Sequence, residues 1–255
     1  MKFTRELLEL DYLIFSSHKS ATQTIVKTLN EHGFRCRHCH VLSNLGLAVG
    51  DLSEFLDKYL EQNKRKLTII STFREPLDRL ISSFFQWHGV GAVRTGEVEN
   101  ESKTIIYNMT VEQLQKTFVD EYCENTEIGT HESIELICEE SGLGLDELEF
   151  DEDINYGLFE AKNFKLILFR FDTLVQHFSY LLTTVTDCEI EIHERNMSHS
   201  KWYKEICSEF KETLSIPPEA ISRIYNPRKS LINIFYRCGF NSLVSRSLEK
   251  YSSKL

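Results

Sequence analysis

Short apolar runs that alternate with helical patterns constrain the fold of this chain more than any other feature. The runs cover residues 12–16, 34–42, 67–73 and 164–171, and their length and side chains are typical of strands. A polar loop follows each run, and apolar residues at helical spacing follow the loop. Strands that alternate with helices form a mainly parallel sheet covered on both faces. We therefore predict an α/β fold, a three-layer sandwich around a central, mainly parallel sheet, with a helical C-terminal third.

The chain is long and apolar enough to fold around one core. It has 255 residues, of which 41% are hydrophobic and only 15 are Gly or Pro, which excludes the disordered and collagen classes. We predict one domain over residues 1–255. Residues 117–161 contain 15 Asp or Glu and no Lys or Arg, and we expect an acidic, mostly helical insertion at about residues 105–161.

The charge and the N-terminus limit the partners that we expect. The formal charge of −10 excludes binding to nucleic acid or a membrane surface by bulk charge. No window approaches 18 uncharged apolar residues, and the N-terminus resembles no export signal. We expect a cytoplasmic protein without a transmembrane segment, whereas the sequence leaves self-association open.

Seven cysteines, an odd number, favour reduced thiols over a disulfide framework. Residues 36–40 spell Cys36, Arg37, His38, Cys39 and His40, the C-x-x-C-H string of haem attachment. Attachment needs export, and the string falls in a predicted strand. A zinc site would need a second Cys or His pair at suitable spacing. We expect no metal.

The loop after the first run is rich in small hydroxyl residues. Small side chains let backbone N–H groups approach a phosphate, and the following helix N-terminus favours negative charge. The loop lacks the Gly-x-x-x-x-Gly-Lys-Ser/Thr pattern of a nucleoside triphosphate cradle. A polar helix start beside an exposed lysine remains the alternative interpretation. The candidate residues of this loop are Lys19, Ser20, Ala21, Thr22, Gln23 and Thr24.

A second polar segment follows the third run. It begins at Arg74-Glu75-Pro76, and Ser82 lies eight residues after Arg74, about two turns into a helix that the proline starts. Arg74 and Ser82 could both contact an anion at the helix start. In the alternative, Arg74 pairs with Glu75 or Asp78, and Ser82 only packs.

Together the two segments resemble the nucleotide-binding signatures of sulfotransferases that use 3′-phosphoadenosine-5′-phosphosulfate (PAPS). The family has a Lys-x-Gly-Thr-Thr/Ser loop and an Arg-Asp/Glu-Pro-x-x-Arg-x-x-Ser segment. The second match is close, whereas the first departs at Ala21 and Gln23. The resemblance implies a P-loop-like loop in which Lys19, Thr22 and Thr24 hold the 5′-phosphosulfate. It implies that Arg74 and Ser82 hold the 3′-phosphate.

The C-terminal third resembles a bacterial branch of capsular-polysaccharide synthesis proteins, through residues 196–203, 224–225 and 235–236. That resemblance implies sulfuryl transfer from PAPS to a hydroxyl of a carbohydrate, either a capsular polysaccharide or a glycan precursor, with PAP as product and no metal. The alternatives are a P-loop-type phosphotransferase and a non-catalytic nucleotide-binding protein of the same fold.

Such a transfer needs a base, and histidine suits that task at neutral pH. His38 and His40 lie two apart near the end of the second predicted strand and share one face. Similar carbohydrate sulfotransferases place a base before the arginine segment, so His40 is the first candidate and His38 the second. His18 and His88 are expected nearby, and residues 89–103 are a lid candidate.

Overall fold

The computed structural model describes residues 3–48, 50–86, 109–123, 133–191 and 203–252. The chain divides into two compact units, which are described separately. Unit 1 comprises Met1–Arg74, His131–Arg195 and Ile234–Arg237. Unit 2 comprises Glu75–Thr130, Asn196–Asn233 and Cys238–Leu255. The prediction of one domain over residues 1–255 stays a prediction.

Unit 1 contains a five-stranded sheet, as far as the described residues show. Its spatial order is β2-β1-β3-β5-β4. Strands β2, β1, β3 and β5 are parallel, and β4 runs antiparallel to β5 at the edge. The prediction of an α/β fold with a mainly parallel central sheet is confirmed. The strands are β1 Tyr12–Phe15, β2 Cys36–Cys39, β3 Leu67–Phe73, β4 Tyr156–Glu160 and β5 Phe164–Arg170.

Helices make up most of the rest of the described chain. In chain order they are α1 Arg5–Leu8, α2 Thr22–Glu31, α3 Asp51–Asn63, α4 Pro76–Gln86, α5 Val111–Thr117, α6 Ser133–Ser141, α7 Phe171–Gln176, α8 Phe178–Thr186, α9 Lys204–Thr213, α10 Pro218–Tyr225, α11 Lys229–Phe235 and α12 Gly239–Tyr251. Short 3-10 turns occupy Leu42–Leu45, Leu145–Glu147 and Asn226–Arg228, and a π-helical turn at Phe118–Cys123 continues α5. Among the described residues, no helix has the length and apolar character needed to cross a bilayer.

The core of unit 1 joins the sheet to three helices. Apolar side chains of β1, β3 and β5 pack against α2, α7 and α8 in one buried cluster. Helices α3 and α6 pack against β3 and against each other. Gly33 ends α2: its φ is +86°, and the N–H of Phe34 donates to the carbonyl of Leu29, as in a Schellman motif.

The structure corrects several details of the predicted elements. The second strand spans only Cys36–Cys39 instead of residues 34–42, because residues 42–45 form a 3-10 turn. Strand β4 was not predicted, and it lies within the segment expected to be a mostly helical insertion. After the fourth apolar run, the sequence pattern predicts one helix through Thr183 with Asp172 as its cap. In the structure the helix begins at Phe171, and Asp172 accepts a hydrogen bond from Arg170 Nε at 2.7 Å. The helix also breaks at His177.

A buried network in unit 2 fixes the start of α4. The carboxylate of Glu75 accepts hydrogen bonds from the N–H groups of Leu77 and Asp78, at 3.1 and 2.7 Å, and from the hydroxyl of Tyr225. The Tyr225 hydroxyl also lies 2.7 Å from Ser247 Oγ. Burial raises the pKa of Glu75, and the charge of Asp78 raises it further. The network ties α4 to α10 and α12.

Candidate functional site

The carboxyl ends of β1, β2 and β3 meet at one edge of the sheet. The N–H of Ser16, directly after β1, donates to the carbonyl of Cys39 at 3.3 Å. The N–H of Thr72 donates to Ser16 Oγ at 2.9 Å. The loops that follow β1 and β3 therefore begin side by side, as expected for ligand sites of parallel sheets.

The loop after β1 has a backbone suited to an anion. Lys19 and Ala21 have φ of 67° and 60°, in the left-handed region, and Thr22 begins α2 directly afterwards. A left-handed residue followed by a right-handed one turns successive N–H groups towards one side, forming an anion-binding concavity. The first N–H groups of α2 lack intrahelical partners and add the positive end of the helix dipole. Ala21 therefore adopts a glycine-like conformation at the position where the sulfotransferase loop has glycine.

Four buried hydroxyl groups collect around this edge. The side chains of Ser20, Thr22, Ser71 and Thr72 are at most 4% exposed. Their hydroxyl oxygens find no hydrogen-bond partner among the described residues. Burying an unpaired hydroxyl costs about 1–3 kcal/mol, so such groups in a native chain call for an explanation. Ser71 and Thr72 are consecutive in β3, so their side chains point to opposite faces of the sheet. Thr72 shares the face of Ile70, which packs against α2, so a ligand at the loop before α2 could accept hydrogen bonds from Ser20, Thr22 and Thr72.

Arg74 contacts the loop from the end of β3. Its Nη1 donates to the carbonyl oxygen of Lys19 at 2.9 Å. The guanidinium carbon lies 4.1 Å from the ring centre of Phe171, the first residue of α7. The structure thus brings Arg74 and the predicted phosphosulfate loop together within unit 1.

The two predicted bases lie at the same edge. Nδ1 of His40 is 2.6 Å from the carbonyl oxygen of Ser16. A carbonyl only accepts, so Nδ1 carries the proton, and Nε2 is the accepting nitrogen of the neutral ring. The rings of His18 and His38 lie 3.8 and 5.5 Å from that of His40, centre to centre. Burial lowers the pKa of His38, and the charges of His40 and Arg37 add to this effect.

The two thiols of the cysteine string in β2 do not share a face of the sheet. Cys36 and Cys39 are three residues apart in a strand, so their side chains point to opposite faces of the sheet. Burial raises the pKa of both thiols to about 12, which opposes the thiolate that a metal requires. In the described ranges, no group of three or more His, Cys, Asp or Glu could hold a metal ion.

The remaining predicted site residues lie on helices or outside the described residues. Gln23 is exposed and Thr24 partly buried in the first turn of α2. Ser82 lies on α4 in unit 2, partly buried, and its role stays a prediction. His88, the lid candidate at residues 89–103 and most of the stretch 196–203 lie outside the described residues.

Sequence reasoning missed three residues of this edge. Ser71 and Thr72 end an otherwise apolar strand directly before Arg74, and that pair of hydroxyl residues was the available signal. Phe171 was assigned only to the end of a strand. Its place beside Arg74 depends on the pairing of β3 with β5, in which Phe73 lies opposite Arg170.

Comparison with protein-family models, with curated proteins and with solved structures gives no match to this chain. Function must therefore be inferred from the chemistry of the site.

Proposed function

We propose that this chain is a PAPS-dependent sulfotransferase that acts on a hydroxyl group of a carbohydrate. The observation that supports it is the set of buried hydroxyls of Ser20, Thr22, Ser71 and Thr72, which lack partners among the described residues. Ser20 lies in the loop to which Arg74 is hydrogen-bonded, and Thr22 begins the helix directly after it. The three-layer arrangement and the P-loop-like role of residues 19–24 belong to this proposal, and the carbohydrate acceptor rests on the resemblance alone.

The groups of the site suit an anionic donor. Hydroxyls can donate to phosphate or sulfate oxygens, as can the N–H groups at the start of α2. Lys19 and Arg74 contribute positive charge. Because the loop lacks the glycine and lysine spacing of a triphosphate cradle, the site favours PAPS over a nucleoside triphosphate with Mg²⁺.

His40 would be the general base, with His38 as the alternative. The Ser16 carbonyl orients the ring through Nδ1, so that Nε2 can accept the proton of an acceptor hydroxyl. PAPS, when bound, supplies the sulfuryl group and leaves as PAP. The acceptor oxygen forms its bond to sulfur while the bond from sulfur to the 5′-phosphate oxygen breaks, and the proton passes to His40. Lys19 would stabilise the negative charge that develops on the leaving phosphate.

A non-catalytic nucleotide-binding protein of the same fold is the second candidate. The departures at Ala21 and Gln23 favour it, since Ala21 adopts a left-handed conformation that glycine adopts more easily. This candidate predicts binding of PAP without transfer to any acceptor.

Transfer of labelled sulfate from PAPS to a panel of saccharides tests the proposal. We expect transfer without added metal. His40→Asn should lower it by about a hundredfold or more while PAP still binds. The control is His177→Asn, at an exposed histidine between α7 and α8, which should leave transfer unchanged. Full activity of His40→Asn would exclude His40 as the base, and transfer of phosphate from ATP with Mg²⁺ would favour the phosphotransferase.

A further inference from the structure

The hydrogen bond between Arg74 and the main chain of Lys19 points to a role for Arg74 besides binding a phosphate. We infer that Arg74 is a positioning residue for the loop after β1, and that Phe171 holds Arg74 in place to do this. The inference has two parts. That Arg74 and Phe171 hold the loop in the ligand-free chain is independent of the proposed function, whereas their effect on affinity rests on the proposed function, in which the loop binds the 5′ end of the donor.

Lys19 needs support to keep its conformation. Its φ of 67° is left-handed, a region that a residue with a side chain adopts only when its surroundings impose it. Its carbonyl oxygen accepts a 2.9 Å hydrogen bond from Arg74 Nη1. A charged donor makes the stronger class of hydrogen bond, so this contact can hold the left-handed turn.

Fixing that carbonyl also fixes the next N–H group. The peptide unit is planar and trans, so the carbonyl of Lys19 and the N–H of Ser20 point in opposite directions. If this peptide rotated, Lys19 would leave its left-handed conformation and the N–H of Ser20 would change direction, directly before the left-handed Ala21 and the start of α2. Because these left-handed residues form the backbone suited to an anion, Arg74 controls whether the loop can receive one.

Phe171 fixes the position of Arg74. The guanidinium carbon lies 4.1 Å from the centre of its ring, within the range of cation–π contacts. The two residues are held by neighbouring strands: Arg74 follows β3, Phe171 follows β5, and Phe73 and Arg170 are paired in register. Phe171 has no group that binds phosphate, so it acts through Arg74.

Hydrogen exchange of the ligand-free chain tests the structural part. In Arg74→Lys and Phe171→Leu, we expect the amides of residues 17–21 to exchange about three- to tenfold faster. Phe171→Tyr keeps an aromatic ring and should restore wild-type exchange. Matched controls are Arg35→Lys, at a surface arginine paired with Glu9, and Phe159→Leu on β4. Amides of β5 serve as an internal reference for global opening.

Binding of two probes tests the functional part. PAP carries a 3′-phosphate, whereas adenosine 5′-phosphosulfate does not. A loop-positioning role predicts that Phe171→Leu and Arg74→Lys weaken both probes by about three- to tenfold, and that Phe171→Tyr recovers both affinities.

The outcomes separate this inference from the proposed function. Unchanged exchange in both variants would overturn the positioning role, as would a loss of affinity for PAP alone. If the wild-type chain bound neither probe, the proposed function would fail, and the exchange measurements would still decide whether Arg74 and Phe171 position the loop.

Discussion

Thr22 and Thr72 bury hydroxyl groups that find no partner among the described residues. Such hydroxyls lower the stability of the ligand-free chain but can donate hydrogen bonds to a bound ligand, so their removal should affect stability and affinity in opposite directions. Valine has nearly the same shape without the hydroxyl. We expect Thr22→Val and Thr72→Val to raise the free energy of unfolding of the ligand-free chain by about 1 kcal/mol. The same changes should weaken PAP binding about tenfold.

Urea denaturation and calorimetric titration measure the two effects. Thr28→Val is the matched control, since Thr28 is a buried threonine further along the same helix, α2. It should leave the affinity for PAP unchanged. A loss of stability in both Thr22→Val and Thr72→Val would mean that these hydroxyls are already satisfied, and would contradict the account of the site.

Ala21 is the second test at the scale of a residue. A side chain in the left-handed region costs roughly 1–2 kcal/mol, which glycine would avoid. Glycine also increases the conformational entropy of the unfolded chain, and this offsets about 0.4–1 kcal/mol of the stabilisation. We therefore expect Ala21→Gly to raise the free energy of unfolding by about 0.5 kcal/mol. Ala161→Gly, in the turn between β4 and β5 where the backbone is not left-handed, should lower it. Equal losses of stability would contradict the left-handed conformation at Ala21.

At the scale of elements, the start of α4 gives a prediction about pH. The pKa of Glu75 is raised by burial and by Asp78, so the folded chain binds this proton more tightly than the unfolded chain. Stability contributed by such a carboxyl falls as pH rises above its unfolded value. We expect the wild-type chain to lose stability relative to Glu75→Gln as the pH rises above about 4.5, the ordinary pKa of glutamate, measured by urea denaturation at each pH. A constant difference between the two proteins would show that the pKa of Glu75 is not raised.

The predictability of each element follows from how much of it is buried. β1, β3 and β5 are nearly continuous apolar runs because they lie inside the sheet, and their runs were predicted. β4 is an edge strand with Leu158 56% exposed, so it lacks such a run and was missed. The break at His177 was missed because the apolar pattern continues on both sides of it.

For the whole molecule, the sequence predicts where the site lies but not all of its residues. Loops after parallel strands all lie at the carboxyl edge of the sheet, so the Lys19 loop, Arg74 and His40 could be expected at one edge. Their contacts depend on β2 and β3 lying on either side of β1. Phe171 could not be expected there, because its place depends on β5 lying beside β3. Ser82 was expected from its spacing to Arg74 and from the resemblance, and its role stays a prediction.

Calorimetric titration of the whole chain with adenosine 3′,5′-bisphosphate, which is PAP, tests the central claim most directly. The account predicts that PAP binds, that Arg74→Ala abolishes the binding, and that ATP does not replace PAP. Arg35→Ala, which removes a surface arginine, should leave the affinity unchanged. A folded wild-type chain that does not bind PAP would contradict the account.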